Sequence, residues 1–396
     1  MSSFLEENYY LKKNPFPPAA SSIEEKNVFI LDSWNEKVSS FYTTLSNGEG
    51  VKAFPIIGEY GTGKTAFLKG YLNRYFKDQN LLPFYFENPG TQFYDLANEL
   101  FRNIGRYEFT KAIWELTKSY LPQESQRTLF EDDYPKFLEK LKSKSDREAK
   151  AHEIQQALRN GIDIVDDEEI AYRIATMIVE TKNKPYFEYK DFIAGKKDSV
   201  VAERGEHKFF SAIIQLIMKI YDVEGIVFLI DEFEDVALTK RMTRSKSYEY
   251  LATLRNLVDI SDEYNLWIVI AMTPQAAELT QEMNPALWER FTHDESTTIT
   301  LEPLSLDDSK GLFEKWLAKY RIQSSNNNIN SIYPFTEDYL DALNNYADLR
   351  IARKLVKIGF FSLSFAETNE IPAPLGPDVL EAVLKEYNLG SSGMNI

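Results

Sequence analysis

The chain has 396 residues, 43% of them hydrophobic and 27% charged, enough for a large core and for two or three units. That excludes wholesale disorder, a collagen and a coiled-coil rod. Its 45 Lys+Arg against 61 Asp+Glu leave a net charge of −16, which repels phosphate and argues against tight DNA binding by a single copy.

Cysteine is absent and the three histidines (His152, His207, His293) are scattered, so disulfides, thiolate zinc sites and a cysteine nucleophile drop out. No apolar run is long enough to span a membrane. The N-terminus has no apolar leader core, and the chain reads as cytoplasmic.

In chain order, residues 1–24 read as an extended arm ending in Asn14-Pro15-Phe16-Pro17-Pro18. Helical spacing follows over 28–46, stopped by Asn47-Gly48. Val51–Ile57 reads as a strand, Lys64–Phe76 as a helix, Leu82–Phe86 as a strand and Gln92–Ile104 as a helix. From 106 to 205 the pattern is helical and highly charged, clearest over Glu168–Thr181. Within it, Lys136–Lys150 carries six Lys/Arg against three acids and reads as a solvated helix face.

His207–Tyr221 reads as a helix. Ile226–Ile230 and Leu266–Met272 lack polar alternation, as central parallel strands do, with a helix at Ser247–Val258 between them. Thr297–Leu301 is a short fifth strand. Helices are expected at 305–322, 337–346, 348–366 and 376–387, with a loop at 324–331 and a flexible tail from 390.

Gly58-Glu59-Tyr60-Gly61-Thr62-Gly63-Lys64-Thr65 fits G-x-x-x-x-G-K-[ST] between a strand and a helix that runs on through Ala66. Main-chain N–H groups must approach phosphate oxygens closely, so glycine is required. Lys64 brings a full charge to the β/γ-phosphates, and Thr65 offers a hydroxyl to Mg²⁺.

Asp231-Glu232 ends the apolar strand. In this pattern Asp231 holds Mg²⁺ and Glu232 polarises the attacking water. A second carboxylate here favours hydrolysis over phosphate transfer to a hydroxyl. Glu234 and Asp235 read as surface residues or supports.

Thr273 ends the next strand, with Gln275 beyond it. It reads as a γ-phosphate sensor or as a plain strand cap. Arg290 precedes the fifth strand. It suits either a reach into a neighbouring subunit's nucleotide or a surface pairing with Glu289 or Asp294. Arg350 opens a late helix, as a lid contact to the γ-phosphate or a helix-face arginine. Arg353 and Lys354 on the same helix are weaker candidates. Asn88 or Glu87 could hold Glu232 in an inactive rotamer.

The order of phosphate loop, Asp-Glu strand, polar strand end, arginine, fifth strand and helical lid resembles AAA+ ATPases. Within them it resembles the initiator-type (origin-recognition) branch and the related transposition ATPases, over about residues 14–105 and 206–366. The carriers are the Asn-Pro-Phe arm, GEYGTGKT, IVFLIDEFED, LEPLS at 301–305 and the Ala347-Asp348-Leu349-Arg350 helix start.

The resemblance implies an α/β AAA+ P-loop core with a parallel five-stranded sheet, formed by 25–105 and 206–302. A helical insertion at 106–205 and a helical lid at 303–396 complete it. It implies ATP and Mg²⁺ as ligands and an oligomer-forming switch linked to DNA machinery. Initiators usually lack so large an insertion and carry a winged helix after the lid, which the length beyond 366 does not accommodate. Both departures look similar to ATPase subunits of BREX-type phage-defence islands. The expected partners are further copies of the chain, a protein docking on 106–205, and DNA only through assembly or a partner. A STAND-type ATP-binding scaffold with slow hydrolysis is the competing expectation.

Overall fold

The computed structural model describes residues 3–18, 33–46, 52–91, 93–120, 133–161, 167–183, 201–238, 242–259, 261, 265–292, 298–322 and 330–389. The expected stop at Asn47-Gly48, residue Thr297, most of the 324–331 loop and the tail from 390 lie outside them.

Five parallel strands form one sheet: β1 (Ala53–Gly58), β2 (Leu81–Phe86), β3 (Gly225–Ile230), β4 (Leu266–Met272) and β5 (Ile299–Leu301). Their order is β2-β3-β4-β1-β5. The α/β core with a parallel five-stranded sheet is thus present. Every residue of β3 and β4 is buried. Alternation sends their side chains to opposite faces. Ile226, Phe228 and Ile230 join one hydrophobic cluster, and Val227 and Leu229 join the other.

The first cluster is shared with the 106–183 helices. Trp114, Tyr134, Phe137, Leu158, Ile174 and Ile178 belong to the same body of buried side chains as Phe86 and Phe228. Helices Arg106–Tyr120, Tyr134–Lys140, Lys144–Gly161 and Glu168–Glu180 build this layer. Tyr134 is buried in it, its hydroxyl donating to the Ile178 carbonyl at 2.8 Å. The lysine-rich turn at Lys136, Lys140, Lys142 and Lys144 faces outward, as a solvated face should.

The second cluster holds the arm, the helix after β1 and the C-terminal helices. The arm is not simply extended. Phe4–Tyr9 is a helix with a reciprocal Ser3/Glu6 capping box, because Ser and Glu three apart satisfy two orphan N–H groups. Beyond it, the Lys12 N–H donates to the Tyr320 carbonyl, and the Ile322 N–H to that of Tyr10. Phe16 is buried against Phe313, with ring centroids 5.0 Å apart. Asn14 donates to the Phe360 carbonyl at 3.0 Å. The arm is therefore clamped onto the C-terminal helices. The helix Ser33–Ser46 belongs to the core instead, where Trp34 meets Phe67 edge-on.

The C-terminal helices run over Leu306–Tyr320, Glu337–Ala342, Ala352–Thr368 and Pro377–Glu386. The expected 337–346 helix tightens to a 3-10 turn at Leu343–Asn345, and a second such turn at Ala347–Leu349 delays the long helix to Ala352. No helix among the described residues is long and apolar enough to cross a membrane.

Candidate active site

The strand order places the carboxyl ends of β3, β4 and β1 side by side, and the crevice beyond such ends is where open α/β sheets bind ligands. β1 runs into the glycine-rich turn, β3 into Asp231-Glu232 and β4 into Thr273. Sequence positions far apart thus meet on one edge.

The turn needs its glycines. Gly61 and Gly63 have φ of +85° and +102°, a region that side chains resist. Gly63 hands over to a helix that starts at Lys64. The helix was expected to run unbroken to Phe76. It instead has α-helical Lys64–Ala66, a wider π-helical turn at Phe67–Leu72, and α-helical Asn73–Asp78.

Lys64 is buried. Its Nζ donates to the Gly58 carbonyl at 2.8 Å and to that of Glu59 at 3.4 Å, under the Tyr60 ring. Burial pulls its ammonium below the usual lysine range. Glu234, Asp231 and Glu59 partly restore it, while Arg353 adds to the depression. Thr62 closes the turn, its hydroxyl donating to the Glu59 carbonyl at 2.9 Å.

Asp231 is buried and held at both oxygens. Oδ1 accepts the Glu232 N–H at 2.9 Å, and Oδ2 accepts the Tyr85 hydroxyl at 3.0 Å. Burial, then the Asp231 charge, push the Tyr85 phenol far above its ordinary value, so it remains a donor. Glu232 has φ +50°, a left-handed conformation costly for a residue with a Cβ, and its side chain is exposed.

Glu234 and Asp235 correct the surface reading: both are buried, at 5% and 8% exposure. The Glu234 carboxylate is the largest charge acting on Lys64. Asp235 accepts from Asn88 Nδ2 at 2.7 Å. Asn88 therefore engages Asp235, and no hydrogen bond from it to Glu232 is formed here. Two and three residues after Glu232, both acids turn inward as the short helix Glu234–Ala237 begins. The apolar Phe233 just before them, itself buried, was the available signal.

Thr273 is buried at the end of β4. Its Oγ accepts the Ala276 N–H at 3.3 Å and caps the helix Pro274–Met283. Gln275 is exposed. Arg290 is ion-paired with Asp259 and donates to the Ala286 carbonyl at 2.8 Å. The carboxylate it meets in this structure is that of Asp259, and Asp294 lies outside the described residues.

Arg350 donates to the Leu304 carbonyl at 3.1 Å, and the Leu304 N–H donates back to the Arg350 carbonyl at 2.8 Å. Its Nε is buried with no hydrogen-bond partner among the described residues. Arg353, the weaker candidate by sequence, abuts the phosphate turn directly. Its N–H donates to the Gly61 carbonyl at 3.1 Å.

The donor set fits a magnesium–nucleotide. A glycine-rich turn, the buried ammonium of Lys64 at a helix start and the fixed carboxylate of Asp231 lie at adjoining strand ends, with Thr65 next to Lys64 in that helix. This is the site of a P-loop nucleotide-binding protein with the AAA+ core arrangement. A family model described as AAA domain matches residues 52–280, more than half of the chain, and the chain belongs to that family. No curated protein matches it.

Proposed function

We propose that the protein is a magnesium-dependent ATPase that uses ATP binding and hydrolysis to change the relation of lid to core. The observation that carries this reading is the convergence of the glycine turn, Asp231-Glu232 and Thr273 at adjacent strand ends. Bound Mg²⁺ would supply charge neutralisation at the phosphates. Thr65 and Asp231 are the residues that would hold it.

The chain's own groups have distinct tasks. Lys64 leaves the carbonyls of Gly58 and Glu59 to meet the phosphates, which satisfy its charge better. Main-chain N–H groups of the turn from Glu59 to Ala66 line the phosphates, apart from that of Thr62, which donates to the Glu59 carbonyl at 3.3 Å. Glu232, exposed beside the fixed Asp231, takes a proton from the attacking water. Thr273 caps its helix through a lone pair and keeps a hydroxyl proton to donate. Arg350 and Arg353 bring the lid's charge to the γ-phosphate side, Arg353 from contact with Gly61 and Arg350 through its Nε–H, which has no partner among the described residues.

Further copies of the chain are the first proposed partner. Arg290 would then leave Asp259 and complete a neighbour's site, as an arginine offsetting charge in the transition state. The outward face of the 106–183 helices is proposed to take a protein partner, with DNA reached only through that assembly. Membership of the initiator-like branch and a role in BREX-type phage defence complete the proposal.

The test is ATP turnover per chain against protein concentration, with and without duplex DNA, for wild type and Glu232→Gln. Turnover that rises with concentration and vanishes in the variant supports the reading. Tightly held nucleotide with flat, negligible turnover supports a signalling scaffold instead.

A further inference from the structure

We propose that Tyr85 is a positioning residue that fixes the magnesium-directed carboxylate of Asp231 and ties it to the phosphate-turn helix. The inference rests on the reading of Thr65 and Asp231 as the Mg²⁺-holding groups.

Tyr85 lies on the edge strand β2, opposite Leu229 of β3 and thus two residues before Asp231 in the paired strand. Its hydroxyl donates to Asp231 Oδ2 at 3.0 Å, while the Glu232 N–H donates to Oδ1 at 2.9 Å. Two donors on two oxygens set the plane of the carboxylate. Each oxygen keeps a lone pair for a metal-bound water. With the phenol lost, the side chain would be anchored at Oδ1 alone and could rotate about its Cβ–Cγ bond.

The same ring meets the other half of the site. Lys69 Nζ lies 4.9 Å from the Tyr85 ring centroid. Lys69 follows Thr65 by four residues on the helix that opens at Lys64. One side chain therefore contacts both the carboxylate and the helix that carries the hydroxyl. Phe84 and Phe86 point to the opposite face, into the other hydrophobic cluster, so Tyr85 is the aromatic of this strand on the face of the second cluster. Partners that orient a metal ligand commonly matter about tenfold or more in metal affinity.

Tyr85→Phe keeps the ring and removes the hydrogen bond. Binding of a fluorescent ATP analogue is followed against Mg²⁺ concentration, and in EDTA, for wild type, Tyr85→Phe and Asp231→Asn. Mn²⁺ binding by electron paramagnetic resonance gives a readout independent of turnover. The expected result is an approximately tenfold rise in half-saturating Mg²⁺ and weaker Mn²⁺ binding. Analogue binding in EDTA and the melting temperature stay at wild-type values, and kcat at saturating Mg²⁺ falls little. An unchanged Mg²⁺ requirement, or an equal loss of binding in EDTA, overturns the role of Tyr85 while the site stands. A wild type with no Mg²⁺-dependent step overturns the reading of the site and the proposal with it.

Discussion

The main-chain N–H of Arg353 donates to the Gly61 carbonyl at 3.1 Å, joining the first turn of the long lid helix to the phosphate turn. The contact is tight. A Cβ built on Gly61 would lie 2.9 Å from the Arg353 Cβ and 3.3 Å from Ile351 Cγ2. Any change in the turn is thereby felt by the lid, and the reverse holds.

Gly61→Ala meets both the positive φ and that contact. It should weaken binding of a fluorescent ATP analogue by about tenfold or more, given a strain of roughly 1–3 kcal/mol. Limited proteolysis should cut the lid faster than in wild type. Arg353→Ala should weaken binding without this exposure, because its main-chain bond survives. Equal proteolysis of Gly61→Ala and wild type would remove the mechanical link.

Lys64→Ala removes the buried ammonium and should lower nucleotide affinity by roughly 100-fold, the scale of lost charge-assisted hydrogen bonds. Glu232→Gln should bind as wild type does and turn over at least about 100-fold more slowly. Isothermal titration and phosphate release separate the two effects. Turnover unchanged in Glu232→Gln would take the general-base role from it.

Arg290→Ala breaks an ion pair whose side chains are 28% and 38% exposed, so the folded monomer should lose no more than about 1 kcal/mol. In the assembled enzyme, turnover should fall by roughly 1,000-fold if the arginine acts on a neighbour's nucleotide. Asp259→Asn, which removes the ion pair and keeps the arginine, should keep turnover. Dilution series of both variants give the answer: equal per-chain rates at all concentrations would remove the role in trans.

Phe16→Ala should destabilise the protein by about 3–5 kcal/mol, as a fully enclosed aromatic does, with the loss read in urea melts. Gly359 has no room for a side chain, since its Cβ would stand 2.8 Å from the Phe16 ring. Gly359→Ala should therefore loosen the arm in the same way, detected by proteolysis within residues 3–18.

Deletion of 106–205 should not give a folded protein. Cutting out the insertion would bare Phe86, Ile226 and Phe228, which share one cluster with Trp114 and Tyr134. Trp114→Ala should by itself cost about 3–5 kcal/mol. A soluble, nucleotide-binding deletion variant would show that the layer is separable.

The glycine turn, Asp231-Glu232 and the buried runs of β3 and β4 were legible in the sequence. Their chemistry is local: phosphate contact needs closely spaced glycines and a helix start, and a strand covered on both faces has no polar alternation. The lid helices were legible in number, with their boundaries displaced where 3-10 turns replace α-helix. The tertiary structure alone decided the order β2-β3-β4-β1-β5 and, with it, which distant residues meet. Tyr85 reached Asp231, Asn88 reached Asp235, and Arg290 reached Asp259 because parallel pairing and helix packing set their register. Arg353 meets Gly61 at the first turn of the long helix, whose start the 3-10 turn at Ala347–Leu349 delays to Ala352. Periodicity along a chain tells which face a residue takes; it carries no record of which element lies across from that face, and the contacts of Tyr85, Asn88 and Arg290 are formed across.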